Sequence, residues 1–251
     1  MKTISKVDFL IVGTQKGGTS SLDYYLRQHR QVQMGEKKEL HFFDDEEVFS
    51  TDIVDYSILH NQFSEHTNDR AIFGDATPIY MYWEPSMKRI WSYNKKIKLI
   101  AILRNPISRA FSHWNMEVNR KAETNTFMYS ILTEHERIKE ALPSQHRVFS
   151  YLDRGFYSEQ IRRIKRYFPE EQILFLKYED YEVNQEERVK DTLRFLGLDV
   201  SEYKYIHKKV HKREYREDIS VPAKDYLLKV FENDIREVER ILNWDCSDWL
   251  N

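Results

Sequence analysis

A short loop near the amino terminus, residues 13–21, has the residue types that bind a phosphate-like anion. It follows an apolar run typical of a buried strand and leads into an amphipathic helical pattern. Gly17 and Gly18 permit positive φ angles and close approach of a ligand. Thr19, Ser20 and Ser21 place hydroxyl groups beside the helix amino terminus, where the helix dipole favours an anion. The loop therefore predicts that backbone N–H groups are presented to a phosphate.

The loop can be compared with the phosphate-binding loop of nucleoside triphosphatases, G-x-x-x-x-G-K-[ST]. Gly13 and Gly18 match its outer glycines, but Thr19 follows Gly18, and the lysine of this loop is Lys16. Lys16 is misplaced for a clamp on β- and γ-phosphates. We therefore expect a ligand with one phosphate-borne leaving group and no polyphosphate tail. An ordinary strand, turn and helix connection is the alternative interpretation.

Arg104 and Ser112, eight residues apart, form a second candidate anion site. Arg104 follows the apolar run Leu99–Leu103, which predicts another buried parallel strand, and Pro106 suits the first turn of the next helix. In a nucleoside triphosphatase such a strand often ends in an aspartate that organises magnesium. A guanidinium at this place is suited to binding an anion directly. This difference steers the chemistry away from metal-assisted triphosphate hydrolysis, and we expect no metal.

Several ionisable side chains could supply an acid or a base. Glu39, His41 and Asp44 lie in a short extended segment that Leu40 and two phenylalanines can anchor in a core. Asp75 ends a further predicted strand, at the edge where open parallel sheets bind ligands. A polar loop is the alternative interpretation of the first group, and a helix cap is the alternative for Asp75.

Apolar strands alternating with helical patterns predict an α/β protein with a central parallel sheet. No Pro-, Gly- or Ser-rich linker interrupts residues 1–251, so we predict a single domain. The helices are predicted at Asp52–Phe63, Phe127–Leu142, Ser158–Phe168, Glu186–Phe195 and Pro222–Leu242, and a further strand at Gln172–Tyr178.

The composition excludes several classes of protein. The formal net charge of −2 does not indicate nucleic acid or an acidic membrane as a binding partner. Cys246 is the only cysteine, which fits a reducing compartment. Because the sequence also has no apolar run of signal-peptide or membrane-span length, we predict a soluble cytoplasmic protein.

The two anion motifs together resemble those of sulfotransferases that use 3′-phosphoadenylyl sulfate (PAPS). The loop V12-G-T-Q-K-G-G-T-S-S21 resembles their 5′-phosphosulfate loop, and L103-R-N-P-I-S-R-A-F-S112 resembles their 3′-phosphate motif, about ninety residues later. The segments K38-E-L-H-F-F-D44 and D75-A-T-P-I-Y80 look like those of the carbohydrate branch, especially the heparan and glycosaminoglycan N- and O-sulfotransferases.

The resemblance implies a P-loop NTPase-like fold, with helices flanking the sheet, and a site for PAPS, which leaves as adenosine 3′,5′-bisphosphate (PAP). It assigns the 5′-phosphate to the amides of residues 15–20 and the 3′-phosphate to Arg104 and Ser112. Lys16 matches the lysine that meets the bridging oxygen, where an ammonium stabilises developing negative charge. In full, the implied cofactor-binding residues are Gln15, Lys16, Gly17, Gly18, Thr19, Ser20, Arg104 and Ser112, joined by Tyr157, Lys212 and Arg213 from downstream segments.

The resemblance implies two positions for the catalytic base. The O-sulfotransferase branch uses a glutamate that matches Glu39, with His and Asp neighbours, and the N-sulfotransferase branch uses a glutamate at the place of Asp75. This chain has carboxylates at both positions, and we favour Glu39, followed by His41 and Asp75. Two departures argue against a heparan-like acceptor: Ala76 replaces a lysine of the O-sulfotransferases, and neither a membrane anchor nor a disulfide loop can form from this sequence.

We therefore predict an enzyme that transfers a sulfuryl group from PAPS to a hydroxyl, or less favourably an amine, of a carbohydrate or small molecule. A nucleotide-dependent kinase or GTPase is the second hypothesis, and the missing G-K-[ST] counts against it. The third is a non-catalytic protein that binds a nucleotide or an anionic glycan.

Overall fold

The computed structural model describes residues 4–64, 68–201, 203–207 and 218–251. The chain forms two compact units, each built from two stretches of sequence. Unit 1 comprises Met1–Leu103 and Arg163–Lys212, and unit 2 comprises Arg104–Arg162 and Arg213–Asn251. In chain order the elements are β1 (Phe9–Gly13), α1 (Thr19–Leu26), β2 (Val32–Met34), α2 (Ser57–His60), β3 (Ile72–Ala76), α3 (Glu84–Tyr93), β4 (Lys98–Leu103), α4 (Pro106–Asn119), α5 (Phe127–Lys139), α6 (Tyr157–Tyr167), β5 (Ile173–Lys177), α7 (Tyr178–Val183), α8 (Gln185–Phe195) and α9 (Val221–Leu242).

Unit 1 is built on a five-stranded sheet in the order β2-β3-β1-β4-β5. All of its pairings are parallel, and Leu10 of β1 lies opposite Asp75 of β3 on one side and Leu99 of β4 on the other. The chain moves from β1 to one side of the sheet and then crosses back to the other. In open parallel sheets, ligands bind beyond the carboxyl ends of the strands at such a switch point. The loop after Gly13 therefore starts at the expected ligand-binding edge.

The core of unit 1 explains why its strands are so apolar. Every residue of β1 is buried, because parallel strands are covered on both faces. On one face the buried cluster includes Phe9 and Ile11 of β1, Leu22 of α1 and Leu193 of α8. A Cβ atom at Gly74 would lie 2.2 Å from the ring of Phe9. Glycine at that position is what allows β3 to pass the buried aromatic ring of β1.

Unit 2 is helical and surrounds several buried charged groups. Helices α4 and α9 pack together, and the guanidinium of Arg109 in α4 is buried and donates to the carbonyl oxygen of Tyr151. The carboxylate of Glu123 accepts hydrogen bonds from Ser130, Arg137 and the Tyr151 hydroxyl. A buried carboxylate is tolerated in a core when hydrogen bonds satisfy it, as these three donors do for Glu123.

The parallel sheet, the α/β class and most predicted helices are confirmed, but one predicted helix is wrong over most of its length. Helical spacing predicted Asp52–Phe63, whereas α2 covers only Ser57–His60. The carboxylate of Asp55 accepts from the Ser57 amide at 2.9 Å, which starts the helix there, and Ile53 is 87% exposed. The pattern overextended the helix because Ile53 has no core to face. Helix α5 also ends at Lys139 rather than at Leu142.

Candidate active site

The loop after β1 leads into the amino terminus of α1, and this terminus has no acidic side chain of its own. Gly18 precedes α1 in the left-handed conformation, with φ 95°, and provides no side chain to cap the helix. The first turn of α1 contains no acidic residue. The amides of a first helical turn have no intrahelical acceptor, and the helix dipole adds partial positive charge there. This helix start therefore fits a phosphate or phosphosulfate group.

Hydrogen bonds to β4 hold the loop in place. The amide and hydroxyl of Thr14 donate to the carbonyl oxygen of Ile102 at 3.0 and 2.9 Å, and the Gly17 amide donates to the Thr14 carbonyl at 2.9 Å. A Cβ atom at Gly17 would lie 2.5 Å from the Ile102 carbonyl oxygen. Lys16 has φ 70°, a conformation that costs energy in a residue with a side chain. The tight loop thus fixes the backbone conformation of Lys16 and, with it, the direction in which the side chain starts.

Ser21, directly after the predicted anion ligands Thr19 and Ser20, has a structural role. Its hydroxyl oxygen accepts hydrogen bonds from the Tyr181 hydroxyl and the Gln185 side-chain amide, both at 3.0 Å. These contacts join α1 to α7 and α8. They fix the position of the helix whose amino terminus forms the candidate anion site.

Glu39, His41 and Asp44 form a chain of contacts in the segment between β2 and α2. His41 Nδ1 lies 3.0 Å from Asp44 Oδ2, and His41 Nε2 lies 3.7 Å from Glu39 Oε2. Lys38 Nζ lies 2.6 Å from the other oxygen of Glu39. The Tyr80 hydroxyl accepts from the Phe42 amide at 3.0 Å and so ties the segment to the core. The sequence pattern indicated Glu39, His41 and Asp44 but not the contact with Lys38, whose only signal was its adjacency to Glu39.

The backbone of this segment is unusual at the same positions. Among the described residues, five that are not glycine have positive φ angles, and three of these are Lys16, Glu39 and His41. Such conformations persist where surrounding structure enforces them, and they concentrate at functional sites. Three of the four residues proposed for catalysis from the sequence thus share a backbone feature that the sequence did not reveal, and Asp75 is the exception.

The contacts of Glu39 and His41 shift the pKa values of these two residues in opposite directions. Burial would raise the pKa of Glu39, but hydrogen bonds and positive charge from His41 and Lys38 outweigh it and lower that pKa to about 2. Hydrogen bonds to Asp44 and then to Glu39 raise the pKa of His41 to about 9. At neutral pH, Glu39 is a carboxylate without a proton and His41 is an imidazolium.

Asp75 lies in a different environment from Glu39. It is 1% exposed at the end of β3, and its carboxylate accepts from the Thr77 hydroxyl at 2.8 Å and the Leu40 amide at 3.5 Å. Burial raises the pKa of Asp75 to about 6, although those two hydrogen bonds act to lower it. Asp75 is therefore the more basic of the two carboxylates, while Glu39 is the more accessible.

Unit 2 holds Arg104, Ser112 and Tyr157. Arg104 directly follows β4 and is half-buried, and Ser112 is 5% exposed in α4. The hydroxyl of the buried Tyr157 donates to the Arg104 carbonyl oxygen at 2.9 Å. The amide of Tyr157 donates to Asp234 at 2.7 Å, which anchors the start of α6. Tyr157 therefore positions the backbone of Arg104, and the nucleotide contact predicted for Tyr157 stays a prediction.

Two predicted cofactor ligands, Lys212 and Arg213, lie outside the described residues. Within the described part of the chain, no group of three or more His, Cys, Asp or Glu side chains is arranged to hold a metal ion. Across the same residues, no helix combines the length and apolar character needed to cross a membrane.

Several solved structures similar to this one are sulfotransferases. A sulfotransferase from Alicyclobacillus acidocaldarius superimposes with a TM-score of 0.85 at 26% identity, covering 99% of this chain and 100% of that one. Mouse SULT7A1 complexed with PAP shares the fold at a TM-score of 0.51 and 14% identity, covering 80% of this chain and 62% of that one. The fold is thus the P-loop NTPase-like fold of sulfotransferases.

The sequence comparison agrees with the fold. The pattern of the sulfotransferase domain family matches residues 6–236, and the chain belongs to that family. The membrane-associated sulfotransferase kil1 of Dictyostelium discoideum is 24% identical, over 100% of this chain and 68% of its own length. The predicted cytoplasmic location therefore stays a prediction.

Other relatives are consistent with the carbohydrate branch. Human heparan sulfate glucosamine 3-O-sulfotransferase 6 is 30% identical over 75% of this chain, and the human 3B1 enzyme is 29% identical over 68% of it. The chain spans only 52% and 40% of the length of these two enzymes, respectively. The family supports sulfuryl transfer, with PAPS as the implied sulfuryl donor.

Proposed function

We propose that the protein transfers a sulfuryl group from PAPS to a hydroxyl group of a carbohydrate or small molecule. The observation that carries this proposal is the start of α1, which has a glycine cap and no acidic residue and is pinned to β4 through Thr14. Its first-turn amides and the hydroxyls of Thr19 and Ser20 would hold the 5′-phosphosulfate. By the family resemblance, Arg104 and Ser112 would hold the 3′-phosphate.

In the proposed reaction, PAPS supplies the sulfuryl group and a good leaving group. Glu39 takes the proton of the acceptor hydroxyl, whose oxygen then forms a bond to sulfur. The bond between sulfur and the phosphate-bridging oxygen breaks, and its electron pair stays on that oxygen. Lys16 would stabilise the negative charge that develops there, as a fixed cation does in a preorganised site.

His41 and Asp44 would act by holding Glu39 ready. The imidazolium of His41 faces Glu39 on one side and the buried carboxylate of Asp44 on the other. This arrangement keeps Glu39 ionised and oriented at neutral pH, while its lowered pKa makes it a weaker base than Asp75. Asp75 is the alternative base, because its pKa of about 6 is closer to the neutral range in which a general base works best.

Transfer of labelled sulfate from PAPS to a panel of alcohols, sugars and amines tests the proposal directly. Calorimetry with PAP and with ATP and magnesium runs beside it. Tight binding of PAP together with transfer to an alcohol is the expected result. Binding of PAP without transfer to any acceptor would favour a non-catalytic binding protein. Preference for ATP with magnesium, with triphosphate hydrolysis, would favour a kinase or GTPase.

A further inference from the structure

A small pocket opens beside Glu39 in unit 1. Its volume is about 210 Å³. An engineered cavity of about 150 Å³ holds a benzene molecule, so this pocket is large enough for one six-membered ring with a substituent. Because Glu39 itself lines the pocket, a ring seated there could bring a hydroxyl group to the proposed base.

The pocket has an apolar wall and a polar rim. Leu40, Phe42, Ile58 and Leu59 form the apolar part. Phe42 and Leu59 are 3% and 1% exposed, so they are fixed in the core, whereas Ile58 is 49% exposed and stands at the opening. The side chains of Lys37 and Gln62 complete the lining. A ring with one apolar face and hydrogen-bonding groups at its edge matches this lining.

Two carboxylates belong to residues that adjoin the chain segments lining the pocket. The Glu36 amide donates to the carbonyl oxygen of Gln62 at 2.9 Å, which places Glu36 next to the lining. The carboxylate of Asp55 caps the start of α2, the helix that carries Ile58 and Leu59. Like charges placed against a ligand select against it.

The sequence around the pocket has the same excess of negative charge. Residues 36–55 contain eight carboxylates (Glu36, Glu39, Asp44, Asp45, Glu46, Glu47, Asp52 and Asp55), two lysines and His41, which is an imidazolium at neutral pH. One of these lysines, Lys38, is bound to Glu39 at 2.6 Å, which leaves Lys37 facing the pocket. One lysine among these carboxylates is a poor match for a glycan with several negative charges.

We propose that the acceptor is an uncharged alcohol built on a single ring, and that this pocket rejects anionic acceptors. The inference rests on the proposed function and deepens it. The ring packs on Leu40, Phe42, Ile58 and Leu59 with its hydroxyl toward Glu39. The hydroxyl proton passes to Glu39 as the oxygen bonds to the sulfur of PAPS, and PAP leaves with the electron pair.

Two matched acceptor pairs test the charge preference. Benzyl alcohol and 4-(hydroxymethyl)benzoate differ by one carboxylate on an aromatic ring, and methyl glucoside and methyl glucuronide differ likewise on a sugar ring. At low salt we expect kcat/KM to be roughly tenfold higher for the neutral member of the productive pair, and the gap to shrink as added salt screens the charges. The pair that is turned over identifies the ring as aromatic or sugar.

Variants then test the pocket itself, and none of them alters a residue that we place in catalysis. Ile58→Ser should raise KM for the neutral acceptor roughly five- to tenfold, with little change in kcat or in KM for PAPS. Ile53→Ser, on the same segment but exposed and outside the lining, is the matched control.

Glu36→Lys should raise kcat/KM for the anionic acceptor roughly three- to fivefold at low salt. Glu171→Lys makes the same charge change just before β5, at the opposite edge of the sheet from β2, and should have no such effect.

Equal or faster transfer to the carboxylate-bearing acceptors, or to heparan oligosaccharides alone, would overturn this inference while leaving the proposed function in place. An unchanged KM in Ile58→Ser would also overturn it. A protein that binds PAP but sulfates neither neutral acceptor overturns it as well. Failure of the proposed function would instead appear as a lack of PAP binding by calorimetry, or as PAP binding without transfer to any member of the whole acceptor panel.

Discussion

His41 joins two carboxylates, with Nδ1 lying 3.0 Å from Asp44 and Nε2 lying 3.7 Å from Glu39. The Asp44 side chain is fully buried, whereas those of His41 and Glu39 are 37% and 38% exposed. The buried carboxylate fixes the ring, and the ring in turn orients and ionises the accessible carboxylate. This gives Glu39 a constant charge over the whole neutral range, and Glu39 is the more accessible of the two candidate bases, because Asp75 is only 1% exposed.

We expect Glu39→Gln to damage the reaction more than Asp75→Asn. Loss of a general base costs roughly 10²- to 10⁴-fold in rate, and Glu39 lines the pocket that could admit an acceptor. Both substitutions keep the shape of the side chain, so comparison of kcat for the two purified variants isolates the carboxylate. Burial of the Asp75 carboxylate costs stability above its pKa of about 6, so Asp75→Asn should unfold no more easily than the wild type at pH 7. A larger loss of kcat in Asp75→Asn would transfer the role of base to Asp75.

The ion pair of His41 predicts a dependence of stability on pH. The pKa of His41 is raised from its ordinary 6.5 to about 9, so its contribution to stability is fully present below pH 6.5. That contribution is lost as the pH rises through 9. Melting curves should therefore show wild type losing its advantage over His41→Gln between these pH values. His135→Gln, which alters an exposed histidine of α5, is the control and should follow the wild-type profile. Parallel profiles for wild type and His41→Gln would rule out the raised pKa.

The fold was predictable where a segment's own pattern determines its structure. The apolar runs of β1 and β4 are buried because they are covered on both faces, and such runs are visible in the sequence. The apolar run of β5 looks the same in the sequence, but β5 is an edge strand and four of its five residues are only half-buried. The order of the strands was not predictable, because it depends on pairings between segments far apart in the chain. The helix predicted around Ile53 was wrong for a different reason. Ile53 has helical spacing but no core partner, and spacing alone does not show whether a residue is buried.

The candidate site was predictable by residue type and not by contact. Lys16, Glu39 and His41 were named from their chemistry, but their shared positive φ angles depend on the surrounding loops. The hydrogen bond from Tyr157 to Arg104 joins residues 53 positions apart, so no local pattern announces it. Lys38 was overlooked because its role depends on the direction of its side chain, which the sequence does not encode.

Arg104→Ala should weaken binding of PAPS more than binding of adenosine 5′-phosphosulfate, which lacks the 3′-phosphate. A charge-assisted contact to phosphate contributes roughly 1.5–3 kcal/mol, so the selective loss should be roughly 10- to 100-fold by calorimetry. Tyr157→Phe removes the hydroxyl that holds the Arg104 carbonyl and should cause a smaller loss with the same selectivity. Arg120→Ala, at the other end of α4, is the matched control. Equal losses for both nucleotides would refute the assignment of Arg104 to the 3′-phosphate.

Lys16→Ala should reduce kcat roughly 10²- to 10³-fold, because the lysine stabilises charge that develops in the transition state. The affinity for PAP should stay largely intact, because the loop amides hold the phosphate. Single-turnover transfer measures the first quantity, and calorimetry with PAP measures the second. Lys16 has φ 70°, so its replacement also changes a strained backbone position. Lys121→Ala controls for this, since Lys121 is an exposed lysine with φ 63° that lies outside the candidate site. If Lys16→Ala kept its turnover, or if Lys121→Ala lost as much, Lys16 would have no part in stabilising the leaving oxygen.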